Sequence, residues 1–345
     1  MPKNAKKIII TGGLGYIGSH TAVVFQQAGY EVVIIDNCSN AKIDVLDKIE
    51  QITGIKPAYH NADIRVIGEL EKVLREHQDA AGVIHFAGKK AVGESCEFPF
   101  RYYSNNVKGS IHLLQTMDKY GIKNIVFSSS STVYDTEKNM PPYVETDQLR
   151  TINPYGNTKL MIERILSDLA QYRYFRCISL RYFNPIGAHH TGLIGENPKG
   201  TPSNLLPYIF KVLSGEFGKV KVFGKDYTTK DGTGVRDYIH VMDVAEAHLN
   251  AYEKMYDLET QKDGGFHEIF NIGTGEGTSV LELIELVEKV TDKNVYYDIV
   301  DRRPGDCAVS IANPSKAEKI LGRKANRTMR QAIQDGRNFV SKKPE

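Results

Sequence analysis

Lys7-Ile8-Ile9-Ile10-Thr11-Gly12-Gly13-Leu14-Gly15-Tyr16-Ile17-Gly18 sets Gly12, Gly15 and Gly18 at intervals of three, directly behind an Ile-rich run. The context gives the spacing its meaning: β-rich residues stand ahead, and a helical pattern over 18–27, closed by Gly29, stands behind. In a strand–turn–helix unit of this kind the glycines permit a tight turn. They also let a pyrophosphate approach backbone N–H groups at a helix N-terminus.

Outward from this stretch, strand patterns at 31–36, 58–62, 82–87, 124–129 and 177–182 alternate with helical patterns at 67–77 and 105–120. That rhythm belongs to parallel βαβ units and predicts an α/β fold, a Rossmann-like doubly wound parallel sheet over residues 1–183. After Asn184 the texture turns to Gly, Pro and Asn punctuation, as in 194–202, before helical patterns return at 205–213, 241–254 and 280–290. The last follows a Ser279-to-Glu282 capping box. These features predict a smaller C-terminal α/β substrate-binding domain over 184–345, with segments around 236–272 returning to pack on the first. Loop-rich segments held over a rigid scaffold commonly carry specificity.

Composition narrows the partners. The 345 residues are 41% hydrophobic and 25% charged with a net charge of +2, so no basic stripe points to nucleic acid. Apolar runs such as 8–10 and 32–35 are too short to span a bilayer, and no signal-peptide pattern follows Met1, which predicts a cytoplasmic protein acting on small molecules. Cys38, Cys96, Cys177 and Cys307 form no paired spacing and no cluster with histidine, so neither a disulfide framework nor a metal is expected.

Asp36 closes the second strand, where a carboxylate suits the hydroxyls of an adenosine ribose and repels a 2′-phosphate; this favours NAD over NADP. Asp63 and the segment Phe86-Ala87-Gly88-Lys89-Lys90 also fall at carboxyl ends of strands, where open α/β sheets bind ligands. For Asp63 a helix cap is the competing reading. Tyr155 and Lys159 lie four apart at the head of a helical pattern and therefore on one face. A neighbouring ammonium is expected to pull the phenol below its ordinary pKa of about 10, giving a usable base for a substrate hydroxyl. Ser130, at the end of the fifth strand, can share that hydroxyl, and Thr132 can steady it. A second Tyr-x-x-x-Lys, Tyr134 with Lys138, sits among turn residues and two prolines, so no helix aligns it.

Taken with Thr11 to Thr21, 85–88, 91–95, Leu180-Arg181-Tyr182-Phe183-Asn184-Pro185 and 231–241, the chain resembles the extended short-chain dehydrogenase/reductases, and within them the UDP-glucose 4-epimerase family. The resemblance implies that Tyr155, Lys159 and Ser130 act at a sugar 4′-hydroxyl. It implies that Tyr16, Ile17, Asp36, Asn37, Asp63, Ile64, Phe86, Lys90, Asn105 and Phe183 surround NAD. For a UDP-sugar it points to Asn184, Asn204, Leu205, Val222, Phe223, Arg236, Arg303 and Asp306; guanidinium forks suit a diphosphate, although surface ion pairing is the other use of such arginines. It further implies a homodimer joined through 105–120 and 154–170.

Three positions set this chain apart. Ser131 and Asp135 replace Ala and Gly of the family pattern. Ser310 falls where the family has either a bulky tyrosine or a small residue, and a small one leaves room for an N-acetyl group, so UDP-N-acetylhexosamines are expected substrates beside UDP-hexoses. A 4,6-dehydratase would need an Asp-Glu pair where Val133 and Tyr134 stand. The fold would also suit a dehydrogenase that releases NADH, or a non-catalytic NAD-binding protein. The second of these need not retain Ser130, Tyr155 and Lys159 together.

Overall fold

The computed structural model describes residues 7–261, 264–303, 306–322 and 324–342; Pro304 and Gly305 of the 303–306 segment lie outside them. The first half builds β1 (Lys7–Thr11), β2 (Glu31–Ile35), β3 (Ala58–His60), β4 (Gly82–His85), β5 (Asn124–Ser130) and β6 (Arg176–Tyr182). Its helices are α1 (Tyr16–Gln27), α2 (Val45–Thr53), α3 (Ile67–Glu76), α4 (Val92–Glu97), α5 (Pro99–Tyr102), α6 (Gly109–Lys119) and α7 (Pro154–Arg173), with a π-helical turn at Tyr103–Lys108 leading into α6. Strands buried on both faces explain the unbroken Ile and Val runs: Ile8 to Ile10 and Val33 to Ile35 are fully buried.

The second half adds β7 (Asn184–Ile186), α8 (Leu205–Leu213), β8 (Val220–Phe223), β9 (Val235–Arg236), β10 (Tyr238–His240), α9 (Val241–Gln261) and β11 (Phe266–Ile272). It ends with β12 (Thr278–Ser279), α10 (Val280–Thr291), β13 (Tyr297–Val300), β14 (Val309–Ser310), α11 (Ser315–Leu321) and α12 (Met329–Ser341). The main sheet is parallel, in the order β11-β6-β5-β4-β1-β2-β3. One face is covered by α1, α2 and α9, through Phe25, Ile49 and Tyr252. The other is covered by α3, α6 and α7, through Leu70, Leu113 and Ile162. A third core, with Leu206, Ile209, Leu283, Val287 and Ile333, joins α8, α10, α12 and β8.

Among the elements the sequence pattern did not mark, α2 and β11 stand out. The apolar residues of α2, Val45, Leu46, Ile49 and Ile52, are interleaved with charged and polar ones in a short stretch. The seventh strand, β11, comes from far along the chain and pairs residue for residue with β6, Phe270 opposite Leu180. Pairing across such a separation leaves no local period to read. Among the described residues no helix is long and apolar enough to cross a membrane.

Candidate active site

The order of strands reverses between β1 and β4, and the loops at their carboxyl ends meet there. Gly12 has φ +69°, and a Cβ on it would stand 2.7 Å from the Ala87 nitrogen. A Cβ on Gly18 would stand 2.3 Å from the Gly12 carbonyl. Both positions demand glycine, one for conformation and one for close packing. Gly15 caps α1 without a side chain, and the first turn of α1 holds no acid. This bare, positively polarised helix start is shaped for an anionic group and fits the pyrophosphate of a dinucleotide. Asp36 ties the turn down: its carboxylate accepts from the N–H of Leu14 at 3.1 Å and of Cys38 at 2.8 Å. Burial pushes its carboxyl up and these two donors pull it back.

The remaining residues expected around the cofactor divide into two groups. Asn37 donates to Asp63 at 2.9 Å. Asp63 also takes the Arg65 guanidinium and backbone N–H, which hold its carboxyl at about 2. It is not a helix cap, because α3 begins after Val66. Tyr16 donates to the Gly187 carbonyl at 2.8 Å, and Lys90 lies 6.0 Å from the Tyr16 ring centre. Phe86 stacks against His248 with ring centres 4.6 Å apart. Ile17 packs at the edge of the core, Gly88 faces Asn106, and Asn105 donates to that same Asn106. The Ile64 side chain is buried against Gly109. Phe183 likewise belongs to a buried cluster with Tyr143, Leu160 and Ala312.

Tyr155 and Lys159 share the first turns of α7, whose N-cap Asn153 accepts from the Gly156 N–H. Both side chains are buried. Lys159 donates to the Ser128 carbonyl at 2.6 Å and lies 5.8 Å from the Tyr155 ring centre. Ser130 accepts from the Thr132 hydroxyl at 3.0 Å. The phenol of Tyr155 is not drawn down as expected: burial pushes it up, and the hydrogen bond with Ser130 pulls the other way. Burial also lowers Lys159, to about 8, against the charge of Glu163. The same burial that shields the pair from water thus weakens the ammonium expected to acidify the phenol.

Asn106 is a residue the sequence reading missed. Its side chain accepts from Lys89 N–H at 2.8 Å and donates to the Lys89 carbonyl and to Thr158 of α7. It therefore clamps the loop after β4, on which Gly12 rests, to the helix bearing Tyr155. Tyr134 of the second Tyr-x-x-x-Lys is a core residue, its hydroxyl bonded to Asn271 and Arg181. Asp135 needs no glycine-like backbone; its Oδ1 accepts from the N–H groups of Glu137 and Lys138.

Among the elements of the second half, Arg236 is ion-paired with Asp306 and donates to the Val235 carbonyl. Arg303 stacks on Phe223, 3.9 Å from the ring centre. Ser310 is aligned with Arg236 in the β14–β9 pair and is buried. Asn204 caps the start of α8 and donates to Glu196, which also takes Lys90 at 2.6 Å. Glu196, another residue sequence missed, thereby joins an expected cofactor residue to an expected substrate residue. Leu205 opens α8 half-buried, and the Asn184 N–H donates to the Asp237 carbonyl. The Val222 side chain is fully buried in the third core, while its neighbour Phe223 is half-buried. All four cysteines are unpaired. At the ends of β3 and α3, His60, Glu76 and His77 bring ligand-type atoms within 4.8 Å of one another, a grouping their sequence spacing hides; the two histidines hydrogen-bond each other at 2.8 Å.

Residues 8–273 match the family described as the NAD dependent epimerase/dehydratase family. The chain belongs to that family. It is 48% identical to UDP-glucose 4-epimerase of Bacillus subtilis over 97% of this chain and 96% of that protein. It also superimposes with TM-score 0.92 on UDP-glucose 4-epimerase from Stenotrophomonas maltophila, solved with NAD and formylated UDP-arabinopyranose (45% identity, 97% and 98% of the two chains). The enzyme from Bifidobacterium longum, solved with NAD+ and UDP, matches at TM-score 0.92 with 43% identity, over 97% of this chain and 98% of that one.

Proposed function

We infer that the protein is an NAD-dependent UDP-glucose 4-epimerase, interconverting UDP-glucose and UDP-galactose. The observation behind this reading is the convergence of Tyr155 and Lys159, on a helix that Asn106 clamps to the glycine-turn loops, with Ser130 at the end of β5. NAD, when bound, supplies the acceptor and then the donor for the hydride at C4 of the sugar. Residues 1–183 hold it, through Gly12, Gly15, Gly18, Asp36, Asn37, Asp63, the 86–90 loop and Asn105. Residues 184–345 hold the nucleotide sugar.

Tyr155 removes the proton of the 4′-hydroxyl, with Ser130 bridging to the same oxygen and Lys159 supporting the phenolate. A 4-keto sugar results. It turns about its pyrophosphate linkage and presents its other face, and Tyr155 returns the proton with inverted configuration. Such a turn requires that the uridine diphosphate dominate affinity. Arg236 and Arg303 anchor the diphosphate, with Asn184, Asn204, Leu205, Phe223 and Asp306 completing the nucleotide site. Ser310 leaves space for a 2-N-acetyl group, so UDP-N-acetylglucosamine and UDP-N-acetylgalactosamine are substrates too. The protein acts in the cytoplasm as a homodimer packed through α6 and α7; the exposed rings of Phe98 and Phe100 beside them support such a contact.

The test uses purified protein with no NAD added, incubated separately with UDP-galactose and UDP-N-acetylgalactosamine, the 4-epimers being quantified by chromatography. Conversion of both is expected. Conversion of UDP-galactose alone would remove the N-acetyl activity, and no conversion even with added NAD would leave a binding protein. Accumulation of stoichiometric NADH would instead mark a dehydrogenase.

A further inference from the structure

Behind Lys159 lies an ionic pair that the chemistry just described does not use. Glu163, one helical turn further along α7, meets Arg181 of β6, and their side chains are 4% and 1% exposed. Arg181 engages both carboxylate oxygens, Nη2 to Oε2 at 2.6 Å and Nε to Oε1 at 2.9 Å. The Ser129 hydroxyl donates to Oε1 at 2.5 Å. Ser129 is flanked by Ser128, whose carbonyl takes Lys159, and by Ser130, the partner of Tyr155. Two turns of α7 are thus fastened to three consecutive residues of β5.

A buried ion pair adds little stability over a well-packed apolar pair, so stability alone does not account for one at this place. We propose that Glu163, held by Arg181, is a positioning residue: it fixes α7 on β5 and sets a negative charge one turn from the Lys159 ammonium, so that this ammonium persists beside the Tyr155 phenolate. The proposal rests on the epimerase reading.

The groups facing Lys159 agree with it. Its own helix offers Tyr155 and Glu163, and β5 offers the Phe127 ring and the Ser128 carbonyl. From β4 comes His85, neutral because burial pushes it to about 3, its ring nitrogens bonded to Thr11 and Ser110. From β6 come Arg181, already committed to Glu163, and Tyr182, a buried phenol bonded to Ser128. His267 of β11, near Glu163 and Arg181, is pushed to about 4 by burial and is also neutral. Among these described groups Glu163 is the anion opposing the loss of the Lys159 proton. Without it, burial acts unopposed and Lys159 deprotonates at lower pH.

The experiment compares wild type, Glu163→Gln, Glu163→Asp and the double variant Glu163→Gln/Arg181→Met, which leaves no orphaned buried guanidinium. Two readouts are taken from neutral to alkaline pH: kcat for UDP-galactose, and the ultraviolet phenolate difference between each protein and its Tyr155→Phe counterpart. In the double variant the alkaline limb of kcat should move down by about one pH unit or more, and Tyr155 should ionise at higher pH. Glu163→Asp, keeping the charge, should retain the wild-type limb with a lower kcat. If the double variant does not fold, Glu163→Gln alone is read in the same way. Unchanged pH curves in a folded variant, whatever its melting temperature, would reduce the pair to a structural role and overturn the proposal. If wild type forms no 4-epimer at any pH, the epimerase reading fails, and the phenolate titration still decides the claim about Glu163.

Discussion

The two walls expected to face the substrate are built on opposite principles. On the α7–β5 side the polar groups around Tyr155 are buried and committed: Lys159 to a strand carbonyl, Glu163 to Arg181 and Ser129, and Asn106 to both α7 and the loop after β4. On the β8–β9–β14 side the polar groups are partly exposed and paired with exchangeable partners, Arg236 with Asp306 and Arg303 with the face of Phe223. The contrast matches two tasks. Proton transfer needs atoms held in fixed places, because misplacement by about 1 Å can cost about 100-fold in rate. An anion anchor needs groups that can give up a local partner for a phosphate, and an ion pair with one partner partly open to water, as Asp306 is, can exchange in this way.

Substitutions on the two walls should therefore fail differently. Tyr155→Phe removes the proton acceptor and should lower kcat by about 1000-fold while leaving NAD and UDP binding intact, measured by turnover and by calorimetric titration with UDP. A fall confined to affinity would erase the distinction between the walls. Arg236→Gln should raise KM for UDP-galactose by about 10- to 100-fold with a much smaller change in kcat. An equal loss in kcat would mean that this arginine acts in the chemistry rather than in anchoring. Ser310→Tyr should lower kcat/KM for UDP-N-acetylgalactosamine by about 10-fold or more and spare UDP-galactose; an unchanged ratio would show that residue 310 does not border the sugar 2-substituent.

The smallest effect concerns buried histidines elsewhere in the fold, on α1, β4 and α9. Burial holds His20 and His85 at about 3 and His248 at about 4, below their ordinary value of 6.5. The unfolded chain takes up protons near 6.5 that the folded chain refuses, so their contribution is complete above that pH and is lost as pH falls towards the folded values. Thermal melts between neutral pH and about 4 should show stability declining by about 1 kcal/mol or more per pH unit. A flat profile over that range would mean that these rings do not control the acid side.

The legibility of the site follows the same division. The placement of Gly12, Gly15, Gly18, Tyr155 and Lys159 could be read because each lies within one turn or one strand–turn–helix unit, where spacing in sequence fixes spacing in space. Asn106 and Glu196 could not, since their value lies in joining segments far apart in the chain. Val222 and Ile64 show the converse limit: a position in the sequence does not say that its side chain packs into a core. The direction for Tyr155 was not readable either: burial, a property of the whole fold, pushes the phenol up, and the hydrogen bond with Ser130 pulls it down.

By itself, then, the sequence determined the βαβ alternation, the glycine turn and the helical Tyr155–Lys159 pair, all set by backbone periodicity and steric demands within a few residues. Only the tertiary structure decided that β11 completes the main sheet, that Glu163 and Arg181 lie behind Lys159, and how far each ionisable group is desolvated. Those outcomes depend on which distant surfaces meet when the core closes.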